Sequence, residues 1–362
     1  MPVVFADHLH RTPPLPGTIE ACRKAEESYM GDPLSASADG ADLRAHLARC
    51  AADTASFFGA AACNFCPEGT SVGLILHQLC QGHEAGKERH VVAAATECVS
   101  MMEALRDLQR QGAEVELCPV ERDGMVDPDR FTSMLRSGSS LACVSWASRA
   151  SGIVQPLQEL ARGCEEMDVP LVAEGSLVAG RLEIDISKMH LPALVVRSRA
   201  MGAPGGLDAL LLSSPLEVLD PLMASYSPGP GIPAGIRAAV EELSTGVAAR
   251  SRIVSELRDA LVQRLTEKLE GCLPLVEQRH LVPGAFLLLL RRKMRPGLHA
   301  RLEIAGLRVA ESDGAQRLAF LDSIGMDREE ADRLVGGCLY PGSSMVDVEL
   351  FCRVFQRVVE KG

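Results

Sequence analysis

The chain has 362 residues, of which 47% are hydrophobic, and its formal net charge is −11. This length exceeds what one small core needs, so we expect two domains. The acidic balance, without a block of lysine and arginine, excludes nucleic acid as the main partner. The longest apolar run, 285–290, is far shorter than the roughly 20 residues that span a bilayer, so no membrane partner is expected.

The twelve cysteines are the next feature of the composition. The N-terminal residues lack the basic and apolar regions of a secretory signal, so we expect a cytoplasmic protein with free thiols. Cys63 and Cys66 form a C-x-x-C pattern, but no second ligand pair follows at zinc spacing. They lie in a strand-like run, where residues three apart face opposite sides. The pattern therefore favours two core residues and no metal site, and it leaves the role of the pair open.

The periodicity along the chain alternates between helical and strand-like segments. In chain order it predicts a helix at 41–58, a strand at 62–66, a helix at 70–80, a strand at 90–95, a helix at 99–111, a strand at 114–119, a helix at 128–136, a strand at 141–146, a helix at 157–167, and strands at 170–173, 194–197 and 209–213. Strands that alternate with helices at this spacing indicate βαβ units and a mostly parallel sheet that is covered on both faces.

The last third of the chain has a different organisation. Three prolines and three glycines at 225–235 predict a loop, and a long helix is expected from there to about residue 270. A strand at 284–290 and helices at 298–305 and 346–360 follow. We therefore predict a large α/β domain at 14–240. Residues 1–13 and 241–362 form a smaller α+β domain, which the long helix connects to the first.

Many stretches resemble the NifS/IscS-type cysteine desulfurases in order and spacing. They are GDPLS at 31–35, CNFCPEGTSVG at 63–73, HVVAAATECVSMMEAL at 90–105, EVELCPVERDGMVDPDRF at 114–131 and MGAPGGLDALLL at 201–212. The resemblance implies the pyridoxal-phosphate (PLP) transferase fold-type I of class V aminotransferases. That architecture is α/β, with a mostly parallel seven-stranded-type sheet flanked by helices and a smaller α+β C-terminal domain.

The resemblance also assigns positions in the cofactor pocket. The family's SGHK-x-x-GPKG corresponds here to RSRAMGAPGG, which places Ala200 where the PLP lysine belongs. Glu174 matches the carboxylate that pairs with the pyridine nitrogen, and Thr70 matches the phosphate-binding threonine, although a helix N-cap explains Thr70 equally well. The ring-stacking histidine, the hydroxyl-binding asparagine and the ring-facing glutamine match, in that order, Cys98, Ser148 and Leu177.

Other residues that the desulfurases use have no counterpart in this sequence. The stretch 309–319, which corresponds to the nucleophile loop, has no cysteine. No arginine stands at 336–341, where the substrate-carboxylate arginine belongs, and Gly231 replaces the threonine that reaches across the dimer interface. Arg197 and Arg199 replace a serine and a histidine. They are expected to pair with Glu174 and fill the site, while binding of an anion remains the alternative.

These positions predict a catalytically inactive desulfurase-like protein. It would be a scaffold, a regulatory protein or a heterodimer partner in sulfur transfer or iron–sulfur cluster assembly. We expect a homodimer, or a heterodimer with an active desulfurase, and contacts with sulfur-acceptor or scaffold proteins. No covalently bound cofactor and no PLP are expected, although a non-covalent phosphate ligand stays open.

The alternative is an enzyme or ligand sensor that uses the remodelled pocket without a PLP Schiff base. Its candidate groups are Cys98, Glu174, Arg197 and Arg199. In this interpretation the two arginines lower the pKa of the Cys98 thiol and make it reactive.

Overall fold

A seven-stranded sheet forms the centre of the computed structural model, which describes residues 3–9, 12–81, 89–214, 228–291, 294–310 and 315–361. Its strand order is β2-β8-β7-β6-β5-β3-β4. Strand β8 pairs antiparallel with both β2 and β7, and every other pairing is parallel. The strands are β2 (Ala62–Pro67), β3 (His90–Ala94), β4 (Glu114–Cys118), β5 (Leu141–Ser145), β6 (Leu171–Glu174), β7 (Ala193–Arg197) and β8 (Leu207–Leu212).

Helices flank this sheet on both faces. They are α1 (Thr18–Ser28), α2 (Ala38–Phe57), α3 (Ser71–Gln81), α4 (Val99–Arg110), α5 (Pro128–Met134) and α6 (Leu157–Glu166). Every residue of β3 and β5 is buried, as expected of strands covered from two sides. Local signals fix several helix starts, because the side chains of Ser37 and Asp127 accept hydrogen bonds from first-turn amides. The predicted α/β fold with a mostly parallel sheet is confirmed.

The long helix predicted for 236–270 is two helices, α7 (Gly231–Ser244) and α8 (Val247–Lys268). The backbone of Gly246 has φ 169° and ψ 42°, which no α-helix contains. Helix α7 also starts inside the predicted loop 225–235, of which 225–227 lie outside the described residues. Its proline, Pro233, lies in the first turn, where a missing N–H breaks no helical hydrogen bond.

The C-terminal part contains a three-stranded antiparallel sheet with the order β12-β10-β9. Its elements are β9 (Cys272–Pro274), β10 (Ala285–Leu290), α9 (Leu298–Ile304), β11 (Leu307–Arg308), α10 (Ala315–Ser323), α11 (Arg328–Asp332), β12 (Leu334–Cys338) and α12 (Met345–Glu360). The N-terminal strand β1 (Val4–Phe5) pairs in parallel with β11, so the first described residues belong to this part of the fold. The domain boundaries at 13/14 and 240/241 stay a prediction.

The large and the small sheet share one hydrophobic core cluster. One core cluster includes Leu194 of the large sheet together with Leu287 and Leu334 of the small one, so the two sheets share packed side chains. Among the helices of the described residues, none is long and apolar enough to cross a membrane.

Candidate functional site

The carboxyl ends of the parallel strands gather several of the predicted site residues. Glu174 ends β6, Arg197 ends β7, and Cys98 and Ser148 follow β3 and β5 within a few residues. Parallel strands present their carboxyl ends at one edge of a sheet, which is the usual place for ligands in this fold class. Cys98, Glu174 and Arg197 lie close enough for Glu174 to interact electrostatically with each of the other two.

Glu174 is buried, with 2% of its surface exposed. Its Oε1 accepts a hydrogen bond from the Ser176 amide at 3.3 Å, whereas Oε2 has no hydrogen-bond partner among the described residues. Burial raises the pKa of this carboxyl group, and the charges of Arg197 and Arg149 act against the rise. An unpartnered carboxylate oxygen is costly to bury, so Oε2 is the atom that a ligand's N–H or O–H would satisfy.

Cys98 is a buried thiol that the site does not activate. Its amide donates to Ser145 Oγ at 2.9 Å, and its Sγ lies 3.3 Å from Ser100 Oγ. Burial raises the pKa of the thiol to about 11, and the neighbouring Glu174 and Glu97 add to the rise. The predicted lowering of the Cys98 pKa by two arginines is therefore wrong, because carboxylates face the sulfur and burial disfavours the thiolate.

Glu97 is a site residue that the sequence interpretation missed. It is buried, and its Oε2 accepts hydrogen bonds from both the amide and the hydroxyl of Ser145, each at 2.6 Å. Its Oε1 accepts from the Ala94 amide at 3.2 Å. These contacts tie the end of β3 to the end of β5. Burial nevertheless raises the pKa of Glu97 to about 8.

This pKa predicts how stability depends on pH. The folded carboxyl keeps its proton between pH 4.5 and about 8, where the unfolded carboxyl has lost it, so stability falls as pH rises through that range. We expect Glu97→Gln to remove this contribution, which is on the order of several kcal/mol, from the pH profile of the free energy of unfolding. Urea denaturation at pH 5, 6.5 and 8.5 measures it. Glu256→Gln is the control, because Glu256 is exposed on α8, and this variant is expected to keep the wild-type slope. Equal slopes of stability against pH for Glu97→Gln and wild type would contradict the assignment.

Thr70 precedes α3, where its hydroxyl donates to the Pro67 carbonyl at 2.7 Å. A second side chain, missed from the sequence, lies at this helix N-terminus. The Oδ2 atom of Asp208 accepts from the Gly69 amide at 2.8 Å and from Ser71 Oγ at 2.5 Å. The only sequence signal for Asp208 is a charged residue inside the apolar run 207–212.

The two arginines have different partners from the one predicted. Arg199 forms an ion pair with Glu68, with Nε–Oε1 at 2.8 Å and Nη2–Oε2 at 2.9 Å. Arg197 donates from Nη2 to Ser100 Oγ at 3.1 Å, and its charge acts on Glu174 at longer range. The predicted pairing of both arginines with Glu174 is wrong for Arg199, because Glu68, which follows the end of β2, is its partner.

The remaining predicted residues are Ser148, Leu177 and Ala200. Ser148 and Leu177 are buried, and Ser148 Oγ accepts from the Ala150 amide at 3.3 Å within its own turn. Ala200 lies in the 3₁₀ turn Ser198–Met201 that follows β7. It lines a small, largely apolar cleft with a volume of about 40 Å³, whereas Glu174, Cys98 and Arg197 do not. The predicted site is therefore divided between the buried polar cluster of Cys98, Glu174 and Arg197 and this cleft.

The C-x-x-C pair lies in β2, as the strand-like pattern predicted. Burial raises the pKa of both thiols, that of Cys66 to about 12. Within the described ranges, one group has its potential metal-ligand atoms close together, namely His90 with Glu114 and Glu116. Arg136 donates hydrogen bonds to both glutamates, so its guanidinium already neutralises part of their charge.

Comparison with known proteins decides the family of this fold. The model of the aminotransferase class-V family matches residues 11–226, which is more than half of the chain. The chain belongs to this family. As a class-V aminotransferase relative, it is 26% identical over 194 residues to the mitochondrial cysteine desulfurase of Arabidopsis thaliana, a match that covers 51% of the chain and 43% of that protein. It is 23% identical over 278 residues to the cysteine desulfurase IscS of Dictyoglomus turgidum, with 76% and 70% covered.

The chain spans less than half the length of the first curated relatives that it matches, between 31% and 43%. Solved structures match over nearly the whole fold. A NifS-like protein has a TM-score of 0.88 at 18% identity, with 99% of this chain and all of that chain covered. The apo structure of a cysteine desulfurase from Thermococcus onnurineus has a TM-score of 0.84 at 17% identity, with 99% and 95% covered.

The family membership corrects the expectation about cofactors. No PLP and no covalent cofactor were expected, and this is wrong, because the class-V family and the desulfurases that the chain resembles are PLP-dependent. The buried polar cluster fits that group at its ring, since Glu174 Oε2 is the unpartnered acceptor that a protonated pyridine nitrogen needs. Arg197 and the first turn of α3 are the groups that would hold its phosphate. When bound, PLP supplies an electron sink.

Proposed function

We propose that this class-V aminotransferase relative does not release sulfur from cysteine by itself. It acts through contacts with proteins of sulfur transfer or iron–sulfur cluster assembly, as a scaffold, a regulator or the partner of an active desulfurase in a heterodimer. The likeness to cysteine desulfurases supports the pathway. The alanine at position 200 is the observation that carries the proposed loss of activity.

Ala200 ends in a methyl group, which has no amine for chemistry with a carbonyl. No lysine takes its place within the part of the chain that the structure describes. The lysines there lie on the surface, and they are Lys24, Lys188, Lys268 and Lys361. Lys188, the nearest of these four in sequence, is twelve residues before Ala200, and its ammonium group pairs with Asp185 at 2.7 Å.

The thiols give the second line of support. Desulfuration needs a mobile cysteine thiolate that reaches the substrate sulfur. All twelve cysteines lie within the described residues, ten of them buried and two half-buried. Burial is the main cause that raises the pKa of each of them, and no cysteine is exposed. A thiol in such surroundings is a core residue and a poor nucleophile.

A sulfide-release assay tests the proposal. We expect no sulfide above the background from the chain with L-cysteine and saturating PLP. Ala200→Lys is expected to stay equally inactive, because an added amine does not expose a thiol. Mixed with an active cysteine desulfurase at equal concentration, the wild-type chain is expected to change the rate of sulfide release by about twofold or more and to co-elute with it in size-exclusion chromatography.

The outcomes separate the parts of the proposal. Sulfide release by the wild-type chain alone would refute inactivity, and release by Ala200→Lys alone would show that only the lysine is missing. Serum albumin at the same concentration controls for unspecific effects on the active enzyme. An unchanged rate together with separate elution would refute a role as a desulfurase partner.

The unpartnered Oε2 atom of Glu174 favours a second candidate, a sensor that binds a ligand with an N–H or O–H donor in the buried polar cluster. In that case Glu174→Gln weakens ligand binding, whereas Cys98→Ala leaves it unchanged, because the Cys98 thiol is not ionised at neutral pH. Isothermal titration of both variants with PLP distinguishes the two residues.

A further inference from the structure

The N-terminus of α3 is an anion-binding position in which the chain has placed its own carboxylate. The first amides of a helix have no partner within the helix, and the helix dipole favours negative charge there. Helix α3 has 11 residues and begins at Ser71. Glu68, three residues before it, forms an ion pair with Arg199, and Asp208, which accepts from Ser71 Oγ, lies opposite Arg197 in the sheet. An external oxyanion would find both amides and guanidinium groups at this point.

Asp208 reaches this position from the middle of the sheet. In the antiparallel register, Asp208 of β8 lies opposite Arg197 of β7 and opposite Cys66 of β2. Its Oδ2 accepts from the Gly69 amide and from Ser71 Oγ, as described above. The residue is 1% exposed, and its Oδ1 has no hydrogen-bond partner among the described residues. The Asp208 carboxylate thus lies at the start of α3, where Oδ2 accepts two hydrogen bonds and Oδ1 has no donor among the described residues.

Glu68 is the carboxylate that compensates the charge of the second arginine, Arg199. Its two oxygens hold Arg199, and Oε2 also accepts from the Gly206 amide at 2.8 Å. Each arginine therefore has a carboxylate of the chain beside it, Asp208 for Arg197 and Glu68 for Arg199. The positive charge that would attract a phosphate or sulfate group is compensated from within.

We propose that Asp208 is an internal counter-anion that competes with oxyanion ligands, phosphate monoesters and sulfate among them, for the N-terminus of α3. Asp208 thereby sets the anion affinity of this site. An incoming oxyanion must either displace the carboxylate from Gly69 and Ser71 or bind next to a buried like charge, and both cost free energy. Removal of the charge on Asp208 leaves the Gly69 amide, the Ser71 hydroxyl and Arg197 for the ligand.

Isothermal titration with two probes, sulfate and PLP, tests this inference on the full chain. We expect Asp208→Asn, which keeps the size and an acceptor oxygen, to bind both probes about tenfold or more tightly than wild type, because one close like charge is removed. Asp53→Asn is the charge-matched control on exposed α2, and it is expected to bind as wild type does. Glu68→Gln is expected to give a smaller gain, because the Arg199–Glu68 pair is partly exposed to solvent.

The result that overturns the inference is equal affinity of Asp208→Asn and wild type for both probes, including the case in which neither protein binds them. Thermal unfolding of each variant verifies the fold, and Asp208→Ala replaces Asp208→Asn if the amide variant does not fold. A gain for PLP without a gain for sulfate would also overturn it, since the proposed competition concerns the charge of the oxyanion. The test does not depend on the proposed partner role, which sulfide release and co-elution measure separately.

Discussion

Replacement of Phe286 by alanine is expected to lower the free energy of unfolding by about 3–5 kcal/mol. Phe286 is fully buried in β10, the central strand of the small sheet. Its ring packs edge-on against that of Phe351 in α12, with centroids 5.5 Å apart. The ring also covers the backbone of Gly337 in β12, where a Cβ atom would lie 2.6 Å from it. Truncation therefore opens a cavity that three elements line.

Urea denaturation followed by circular dichroism measures this loss. Phe5→Ala is the matched control, because Phe5 lies in β1 of the two-stranded sheet and 43% of the residue is exposed. We expect it to cost less than about 1.5 kcal/mol. Similar losses for the two variants would mean that Phe286 does not lie in a packed core.

Replacement of Arg317 by alanine is expected to cost about 2–4 kcal/mol. Arg317 of α10 is 3% exposed, and its guanidinium donates to the Ala150 carbonyl at 2.8 Å and to the Leu334 carbonyl at 3.0 Å. Burial lowers its pKa to about 10, and the charge of Asp7 acts against this. The contact joins β12 of the small sheet to the turn that follows β5. Its loss leaves the buried Ala150 carbonyl without a donor, whereas the Leu334 carbonyl keeps His299 Nε2 at 3.0 Å.

Arg317→Met separates the parts of this effect, because methionine fills most of the volume and donates no hydrogen bond. We expect it to recover part of the stability lost in Arg317→Ala, and Arg353→Ala on the exposed side of α12 to change stability by less than about 0.5 kcal/mol. Thermal and urea unfolding of the three variants check this. If Arg317→Ala is as stable as Arg353→Ala, the buried hydrogen bonds do not hold the two parts together.

The bounds of the helices and strands show how much of the fold the local sequence pattern predicts. Strands β3 and β5 are apolar runs of the length expected for buried strands, and the structure places them within one or two residues of the prediction. The break between α7 and α8 was missed, because one glycine in a periodic segment is tolerated in many helices. Its effect at Gly246 depends on how both helices pack, which the local pattern does not contain.

The sequence by itself determined the α/β class, the resemblance to the desulfurases, and the alanine at position 200, since these depend on residue order and local periodicity. Only the tertiary structure decided which charges meet. Glu68 and Arg199 are 131 residues apart in sequence, and Ser71 and Asp208 are 137 apart. Such pairs follow from the register of β2, β8 and β7. The register also places Asp208 at the start of α3. The order of the strands brings the ends of β3 and β6 to one edge of the sheet, where the Cys98 thiol is buried beside carboxylates.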